Sequence, residues 1–396
     1  MTNFESILSR PTIFKNRDVL SPHYLPNELP HREREIEIIM KALSPALRGE
    51  KPRNIFIYGK TGTGNTSSVK YVMDRFAEMK SESAKSSYLN CRIYNSRYRI
   101  FQKIIKDHLP QHAKSGVGLS FLYEKLIEWI NDGRHLIIVL DEIDMVKDLD
   151  DLVYTLTRSN DELRKGGVAL LGISNKLSFK ERLDPRSRST LFENEMVFPP
   201  YTSEQLQSIL KRRIALGFSD GAVDDSAINI AAAVAAQDNG DARYALKLLL
   251  RAGEIADEKN ESKILDRHVE EARRCVDEDI SVEAINTLPQ HQQIVLYAIS
   301  LLSSDGGRYS KLIENPEHYV LSGEVYEKYA SFAREFNKEP RSARWYREYL
   351  CELGVLGLIN MVESGKGMRG HSRLIKLVYP AERVKGIVEK NLISES

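Results

Sequence analysis

The run Gly59-Lys60-Thr61-Gly62-Thr63-Gly64-Asn65-Thr66-Ser67 has the residue types needed to hold a phosphate chain. It follows the apolar segment Ile55-Phe56-Ile57-Tyr58 and precedes a helical pattern carrying Val69, Tyr71 and Val72. Strand, glycine-rich loop and helix in that order bring backbone N–H groups close to phosphate oxygens and add the positive end of a helix dipole. The spacing fits G-x-x-x-x-G-K-[ST] at every place but one, because Asn65 stands where the pattern has lysine. Lysine brings a point charge to the β- and γ-phosphates, whereas an amide brings a neutral donor. Lys60 sits at a variable position near the loop's start and does not replace it, while Thr66 keeps the hydroxyl that suits Mg²⁺. A glycine turn without nucleotide is the plain alternative.

About 75 residues further on, Leu136-Ile137-Ile138-Val139-Leu140 runs into Asp141-Glu142-Ile143-Asp144. A buried parallel strand presents ligands at its carboxyl end. Asp141 is expected to hold Mg²⁺ with Thr66, and Glu142 to polarise the attacking water as general base. The next apolar run, Val168 to Ile173, ends in Ser174-Asn175, where the amide either orients water or γ-phosphate or only caps a turn. Asp184-Pro185-Arg186-Ser187-Arg188 offers a cation for a neighbouring subunit's phosphates, or a surface loop with two arginines. Gly240-Asp241-Ala242-Arg243 opens an amphipathic helix with Asp241 as N-cap. Arg243 lies in the first turn, where its charge opposes the helix dipole unless an external anion is present.

The C-terminal third carries a different chemistry. Gly323-Glu324-Val325-Tyr326 opens one helix. Pro340-Arg341-Ser342-Ala343-Arg344-Trp345-Tyr346-Arg347 opens another, expected to bury Ala343, Tyr346, Leu350 and Leu353 and to expose Arg341, Arg344 and Trp345. Strand-like Leu358 to Val362 and Leu374 to Val378 flank a glycine-rich basic tip with Lys366, Met368, Arg369, Gly370 and His371. Two helices and a hairpin form a winged helix, which sets its second helix in the major groove. Arg341, Ser342, Arg344, Trp345, Arg347 and the hairpin tip are the candidate DNA contacts, with protein contact as the alternative use. From Arg341 to Lys376 seven basic residues face three acidic ones, a local +4.

Elements of ordinary globular composition must position these groups. The 396 residues are 42% hydrophobic and 29% charged, and 57 Lys+Arg against 56 Asp+Glu leave a net charge of +1, which taken alone argues against a nucleic-acid partner. No apolar stretch is long enough for a membrane span, and the start lacks a signal-peptide pattern, so a cytosolic protein is expected. Cys91, Cys275 and Cys351 are too far apart for a disulfide framework or zinc site, and the nine histidines show no metal spacing. Pro11, Pro22, Pro26 and Pro30 mark an irregular arm before a helix that begins near His31. Short apolar runs then alternate with helical patterns as far as Phe198, which predicts a parallel sheet covered on both faces. Lys80 to Ser87 reads as a surface loop. From Ser203 to about Val276 the pattern is helical, and the acidic Asp277 to Glu283 suggests a junction. The expected domains are therefore 1–202, α/β with an N-terminal arm; 203–278, a helical lid; and 279–396, the winged helix.

Together these motifs resemble an ATPase of the AAA+ class, and more narrowly the archaeal replication initiators related to the eukaryotic origin recognition complex and its helicase-loading partner. The likeness rests on Leu29-Pro30-His31-Arg32-Glu33, Tyr58 to Thr66, Tyr88-Leu89-Asn90-Cys91-Arg92, Leu140 to Asp144, Leu183-Asp184-Pro185-Arg186, Val197-Phe198-Pro199-Pro200-Tyr201 and Gly240 to Arg243, in order along nearly the whole chain. The resemblance implies that the arm around Val19 to Arg32, including His31 and Arg32, walls the adenine, and that Tyr201 and Arg213 face the nucleotide. It makes Asn175 the first sensor, Arg243 the second, and Arg186 the arginine finger. Gly118 to Tyr123, with Leu119 and Ser120, corresponds to a helical insertion that contacts DNA in that family.

The expected function is an origin-binding initiator in the cytoplasm, at the nucleoid. It would use ATP or ADP with Mg²⁺ as a switch, bind double-stranded DNA, assemble with paralogous subunits and recruit the replicative helicase. Asn65 departs from the family pattern and points to retained nucleotide with slow or absent turnover. A transcription regulator with a vestigial nucleotide domain is the alternative, and a clamp-loader or remodelling ATPase acting on proteins is a third.

Overall fold

The computed structural model describes residues 12–22, 24–114, 116–176, 183–185, 187–188, 194–305, 319–363 and 373–394. Arg186 and the hairpin-tip residues Lys366, Met368, Arg369, Gly370 and His371 lie outside the described residues. The chain divides into two compact units, 1–272 and 273–396.

The first unit is built on a five-stranded parallel sheet. In chain order its elements are α1 (Glu33–Leu47), β1 (Ile55–Tyr58), α2 (Asn65–Glu78), β2 (Ala84–Asn90), α3 (Arg97–His108), α4 (Leu119–Asn131), β3 (His135–Asp141), α5 (Leu149–Glu162), β4 (Gly167–Ser174) and β5 (Glu195–Val197). The strand order is β2-β3-β4-β1-β5. Helices cover both faces, so alternate side chains of one strand enter different cores. Leu136, Ile138 and Leu140 pack with α3, α4 and α5, whereas Ile137 and Val139 pack with α1 and α2. Tyr58 pairs with Ser174, Asp141 with Ile173, and Asn90 with Asp141, so the carboxyl ends of these four strands lie along one edge.

The segment Lys80 to Ser87 corrects a sequence expectation. Ala84 to Ser87 is not a loop but the first half of β2, paired with His135 to Ile138. β2 is the outermost strand on its side, where serine and lysine tolerate partial exposure and the backbone ladder, rather than apolar side chains, holds the strand.

Three helices follow the sheet: α6 (Ser203–Gly217), α7 (Asp225–Gln237) and α8 (Ala242–Glu258). Their starts are strongly signalled, by a Thr202/Gln205 capping box, by Asp224 and by Asp241. The N-terminal arm lies against these helices. Phe14 stacks on Phe218 with ring centroids 4.8 Å apart, and Asp257 accepts from Thr12 Oγ1 at 2.6 Å, Ile13 N at 3.0 Å and Arg17 Nη2 at 3.2 Å. Helix α9 (Asp266–Thr287) runs unbroken through the acidic stretch Asp277 to Glu283.

The second unit contains α10 (Gln290–Asp305), β6 (Val320–Leu321), α11 (Ser322–Glu335), α12 (Ala343–Val355), β7 (Ile359–Glu363), β8 (Arg373–Leu377) and α13 (Ala381–Ser394). Its antiparallel sheet has the order β6-β8-β7. β6, only two residues long, is too short to carry a periodic signal in the sequence. Tyr346, Leu350 and Leu353 of α12 enter the core as expected, but Ala343 is exposed because it stands in the first turn, ahead of the packed face.

The arm's seat yields a test. A Cβ added at Gly253 would lie 2.5 Å from Phe14 Cζ and 2.8 Å from Phe218 Cε1. Overpacking of about 1–3 kcal/mol outweighs the helix-propensity gain of about 1 kcal/mol. Gly253→Ala should therefore lower the denaturation midpoint and expose the arm to protease, and an unchanged midpoint would mean that the arm is not seated there.

Candidate functional site

At the carboxyl edge of β1 the loop Gly59 to Thr66 bends through left-handed backbone at Gly62 (φ 75°) and Gly64 (φ 89°). Only glycine fits there, since a Cβ at Gly62 would run into the Asp241 carboxylate and one at Gly64 would stand 2.7 Å from the Tyr201 hydroxyl. Asn65 opens α2 but turns back into the loop. Its Nδ2 donates to the Gly59 carbonyl at 2.7 Å, and its Oδ1 accepts from the Thr63 hydroxyl at 3.0 Å. At 5% exposure both ends of the amide are engaged inside the loop, where the Thr63 hydroxyl also donates to Lys60 O at 2.7 Å. Lys60 points elsewhere, its Nζ donating to Asn239 Oδ1 at 2.6 Å.

The Thr66 hydroxyl stands 3.2 Å from Asp141 Oδ2 and 3.4 Å from Oδ1, so the sequence-predicted metal pair is brought together. The residues fit Mg²⁺ in kind, a hydroxyl in the first turn of α2 and a buried carboxylate at the end of β3. Tyr88, a residue missed in the sequence, donates to Asp141 Oδ2 at 2.5 Å. Burial, reinforced by the charge of Asp141, pushes the phenol's pKa up, so Tyr88 stays a donor. Glu142 follows in left-handed backbone (φ 55°), and its carboxylate is taken by Arg92 Nε in an ion pair. Arg92 closes the family-like run Tyr88 to Arg92. The one sequence signal for it is its place two residues beyond the end of β2, which neighbours β3.

Asn175 is exposed at the end of β4. Its neighbour Ser174 is buried and donates to Asp144 Oδ1 at 2.8 Å, with Lys176 Nζ 3.8 Å from the same carboxylate. Ser174 and Asp144, neither assigned a role beforehand, thus tie the ends of β3 and β4 together.

Beside the loop lies a cavity of about 270 Å³, walled by Tyr24, Pro26, Leu29, Tyr201, Ile209 and Leu246 and open to Gly62, Gly64, Ser67 and Arg243. An apolar wall continuous with a phosphate loop fits a nucleoside base followed by its phosphates. Arg213 also lines it, but its Nη1 donates to Val19 O at 2.9 Å and its Nη2 to Tyr24 O at 3.2 Å. It fixes the arm more than it faces the void. The Asp241 carboxylate accepts from Arg243 N and Tyr244 N, which confirms the N-cap, and the Arg243 side chain is exposed at the cavity. His31 and Arg32 do not line the cavity: His31 donates its N–H to Glu33 Oε1 at 3.2 Å, and Arg32 is buried behind the loop.

Elsewhere in the first unit, Leu119 opens α4 packed on the sheet core and Ser120 is exposed beside it. In the second unit, Arg341 and Ser342 precede α12 rather than belonging to it. Arg344, Trp345 and Arg347 project outward from its first turns, Trp345 at 51% exposure. Tyr329 Oη accepts from Arg341 N at 3.0 Å, and Tyr326 Oη donates to Arg341 O at 3.1 Å, so the entry to this helix is held from below.

A parallel sheet with a phosphate loop and acidic strand end on its carboxyl edge, a helical lid and a winged helix define an AAA+ protein. Family models match in the same order: an AAA domain over residues 48–178, a Cdc6 AAA+ ATPase-type lid domain over 207–274 and a CDC6 C-terminal winged helix domain over 283–386. ORC1-type DNA replication protein 1 of Archaeoglobus fulgidus is 41% identical over 383 residues, covering 95% of this chain and 91% of that protein. The ORC1-type DNA replication protein of Thermococcus onnurineus is 42% identical over 398 residues, 97% and 92% of the two chains. The ORC1 protein of Aeropyrum pernix, solved in complex with DNA, matches at TM-score 0.80 and 36% identity over 98% of this chain and 99% of its own. The chain belongs to the family of ORC1-type DNA replication proteins.

Cys91 reports on the packing of this edge. Its N–H donates to Asp141 O at 2.8 Å, and burial, with the nearby carboxylates, pushes its thiol up to about 12. At pH 8 the reactive thiolate is then absent. Iodoacetamide should label the exposed Cys351 and spare Cys91 in the folded protein, and equal labelling rates would contradict this packing.

Proposed function

We propose that this protein is a DNA replication initiator that binds double-stranded origin DNA through its winged helix and holds ATP or ADP at the Gly59–Thr66 loop as a conformational switch. The observation that carries the reading is the full-length likeness to a protein solved on DNA, in a chain whose α12 presents Arg344, Trp345 and Arg347 outward. In a winged helix this element reads the major groove, with Arg341 and Ser342 at its entry. Leu119 and Ser120 mark the second DNA-facing element, and the hairpin tip Lys366 to His371 the third. Paralogous initiator subunits and the replicative helicase are the further partners, and the cytoplasm, at the nucleoid, is the place.

In the nucleotide site the backbone of Gly59 to Thr66 and Ser67 would cradle phosphate, Tyr201 and the arm would wall the base, and Arg243 would supply a cation. Mg²⁺, held by Thr66 and Asp141, would add positive charge to the phosphates. Turnover is proposed to be slow for two reasons on this chain: Asn65 spends its amide internally, and Arg92 occupies Glu142. Arg186 and Asn175 keep their proposed roles as finger and sensor. Asn65 also favours a second reading, a transcription regulator with a vestigial nucleotide domain. Genome-wide mapping of bound sites separates the two, origins supporting the first and promoters the second.

ATP hydrolysis by the wild-type protein should lie close to that of Glu142→Gln, and Asn65→Lys should raise it well above both; steady wild-type turnover far above Glu142→Gln would overturn the assignment of slow hydrolysis. For DNA, each lost phosphate contact lowers the slope of log K against log salt by about 0.9. Arg341→Ala with Arg344→Ala should weaken binding and flatten that slope. If affinity and slope both stay unchanged, the winged helix is not the reader.

A further inference from the structure

Arg32 is 1% exposed, yet among the described residues its nearest carboxylate oxygen, Glu35 Oε1, is 4.0 Å away. The cation is satisfied by carbonyls instead. Nε donates to Thr63 O of the phosphate loop at 2.9 Å, Nη1 to His31 O of the arm at 2.9 Å, and Nη2 to Pro199 O, between β5 and the lid, at 2.7 Å. The guanidinium also lies 3.8 Å over the Tyr201 ring. Three chain segments distant in sequence meet on one rigid, planar fork, which a flexible ammonium could not reproduce. Tyr201 in turn touches both loop and lid: a Cβ at Gly64 would stand 2.7 Å from its hydroxyl, and one at Gly240 2.5 Å from its carbonyl.

The arm is bonded to the lid beyond this point. Lys15 N and Asn16 N both donate to Gly217 O, at 2.8 and 3.1 Å, and Ser219 N donates to Ile13 O at 2.8 Å. Arm and lid therefore form one body, and Arg32 stands where that body meets the phosphate loop. Because Arg32 does not line the cavity, it acts through the carbonyls it holds and not on the ligand.

We propose that Arg32 is a positioning residue that couples occupancy of the Gly59–Thr66 loop to the arm-and-lid body. The proposal rests on the nucleotide-binding reading above, and the experiment separates the two. Residue-resolved hydrogen exchange is measured on the full chain with and without MgADP, in the wild type and in Arg32→Lys, with Arg32→Gln in its place should the lysine variant not fold. In the wild type MgADP should slow exchange about fivefold or more at Ser68, whose N–H bonds Gly64 O in the loop, and also at Lys15, Asn16 and Ser219. In the variant the slowing at Ser68 should persist while that at the arm and lid amides is lost. Full slowing at both places in the variant overturns the coupling and leaves nucleotide binding intact, and loss at both makes Arg32 a support of the loop alone and likewise overturns it. No slowing at Ser68 in the wild type removes the nucleotide reading and the proposal with it.

Discussion

The loop and the acidic edge of the first unit take their place from the register of a parallel sheet buried on both faces. A buried backbone N–H or C=O without a partner costs about as much as a lost hydrogen bond, and a one-residue slip would turn the apolar set of a strand to the wrong core. β3, with all seven residues buried, has no freedom to slip between β2 and β4. Once Leu136 and Ile137 are assigned to opposite faces, Asp141 must end level with Ile173 and Asn90, and Tyr58 level with Ser174. The loop, the metal-type pair and the two tethers Tyr88–Asp141 and Ser174–Asp144 all follow from that alignment.

The site is electrostatically lopsided. Asp141, Glu142 and Asp144 gather at the edge, and the cation that the loop pattern would set among them is replaced by Asn65. Among the described residues the balance comes from outside the loop, through Arg92 on Glu142 and Lys176 near Asp144. An incoming polyphosphate would add to the negative charge and would depend on backbone N–H groups, a divalent cation and Arg243 for compensation. Binding energy would thus be drawn from dipoles and from the apolar cavity. That favours holding a nucleotide over stabilising the charge that develops when its terminal phosphate leaves.

Legibility in the sequence followed burial. The three inner strands β1, β3 and β4 announced themselves as apolar runs because both of their faces are covered. β2 did not, since Lys85, Ser86 and Ser87 lie on an outer strand held by its ladder. The loop, Thr66, Asp141 and the Asp241 N-cap were readable because their chemistry is local, a turn, a strand end or a helix start. Tyr88, Arg92 and Ser174 were not, because each acts across strands and its partner is fixed by register alone. Arg32 shows the same limit: its place in a family phrase pointed toward the base, while the three carbonyls that bury it belong to segments as far as 167 residues away.

The charge of the second unit makes the complementary argument. A chain of net charge +1 has little long-range attraction for DNA, so recognition would rest on the local +4 between Arg341 and Lys376 and on how firmly that surface is held. Flexible arginines lose side-chain entropy on every contact, up to about 2 kcal/mol each, and a firmly held backbone limits what else must be ordered. Here Tyr326 and Tyr329 grip the main chain of Arg341 through opposite hydrogen bonds, and buried Tyr346 donates to Ser322 O at 2.8 Å. The tyrosines beneath the helix would therefore carry, for the proposed contact with DNA, the preorganisation that the near-neutral chain cannot supply as long-range attraction.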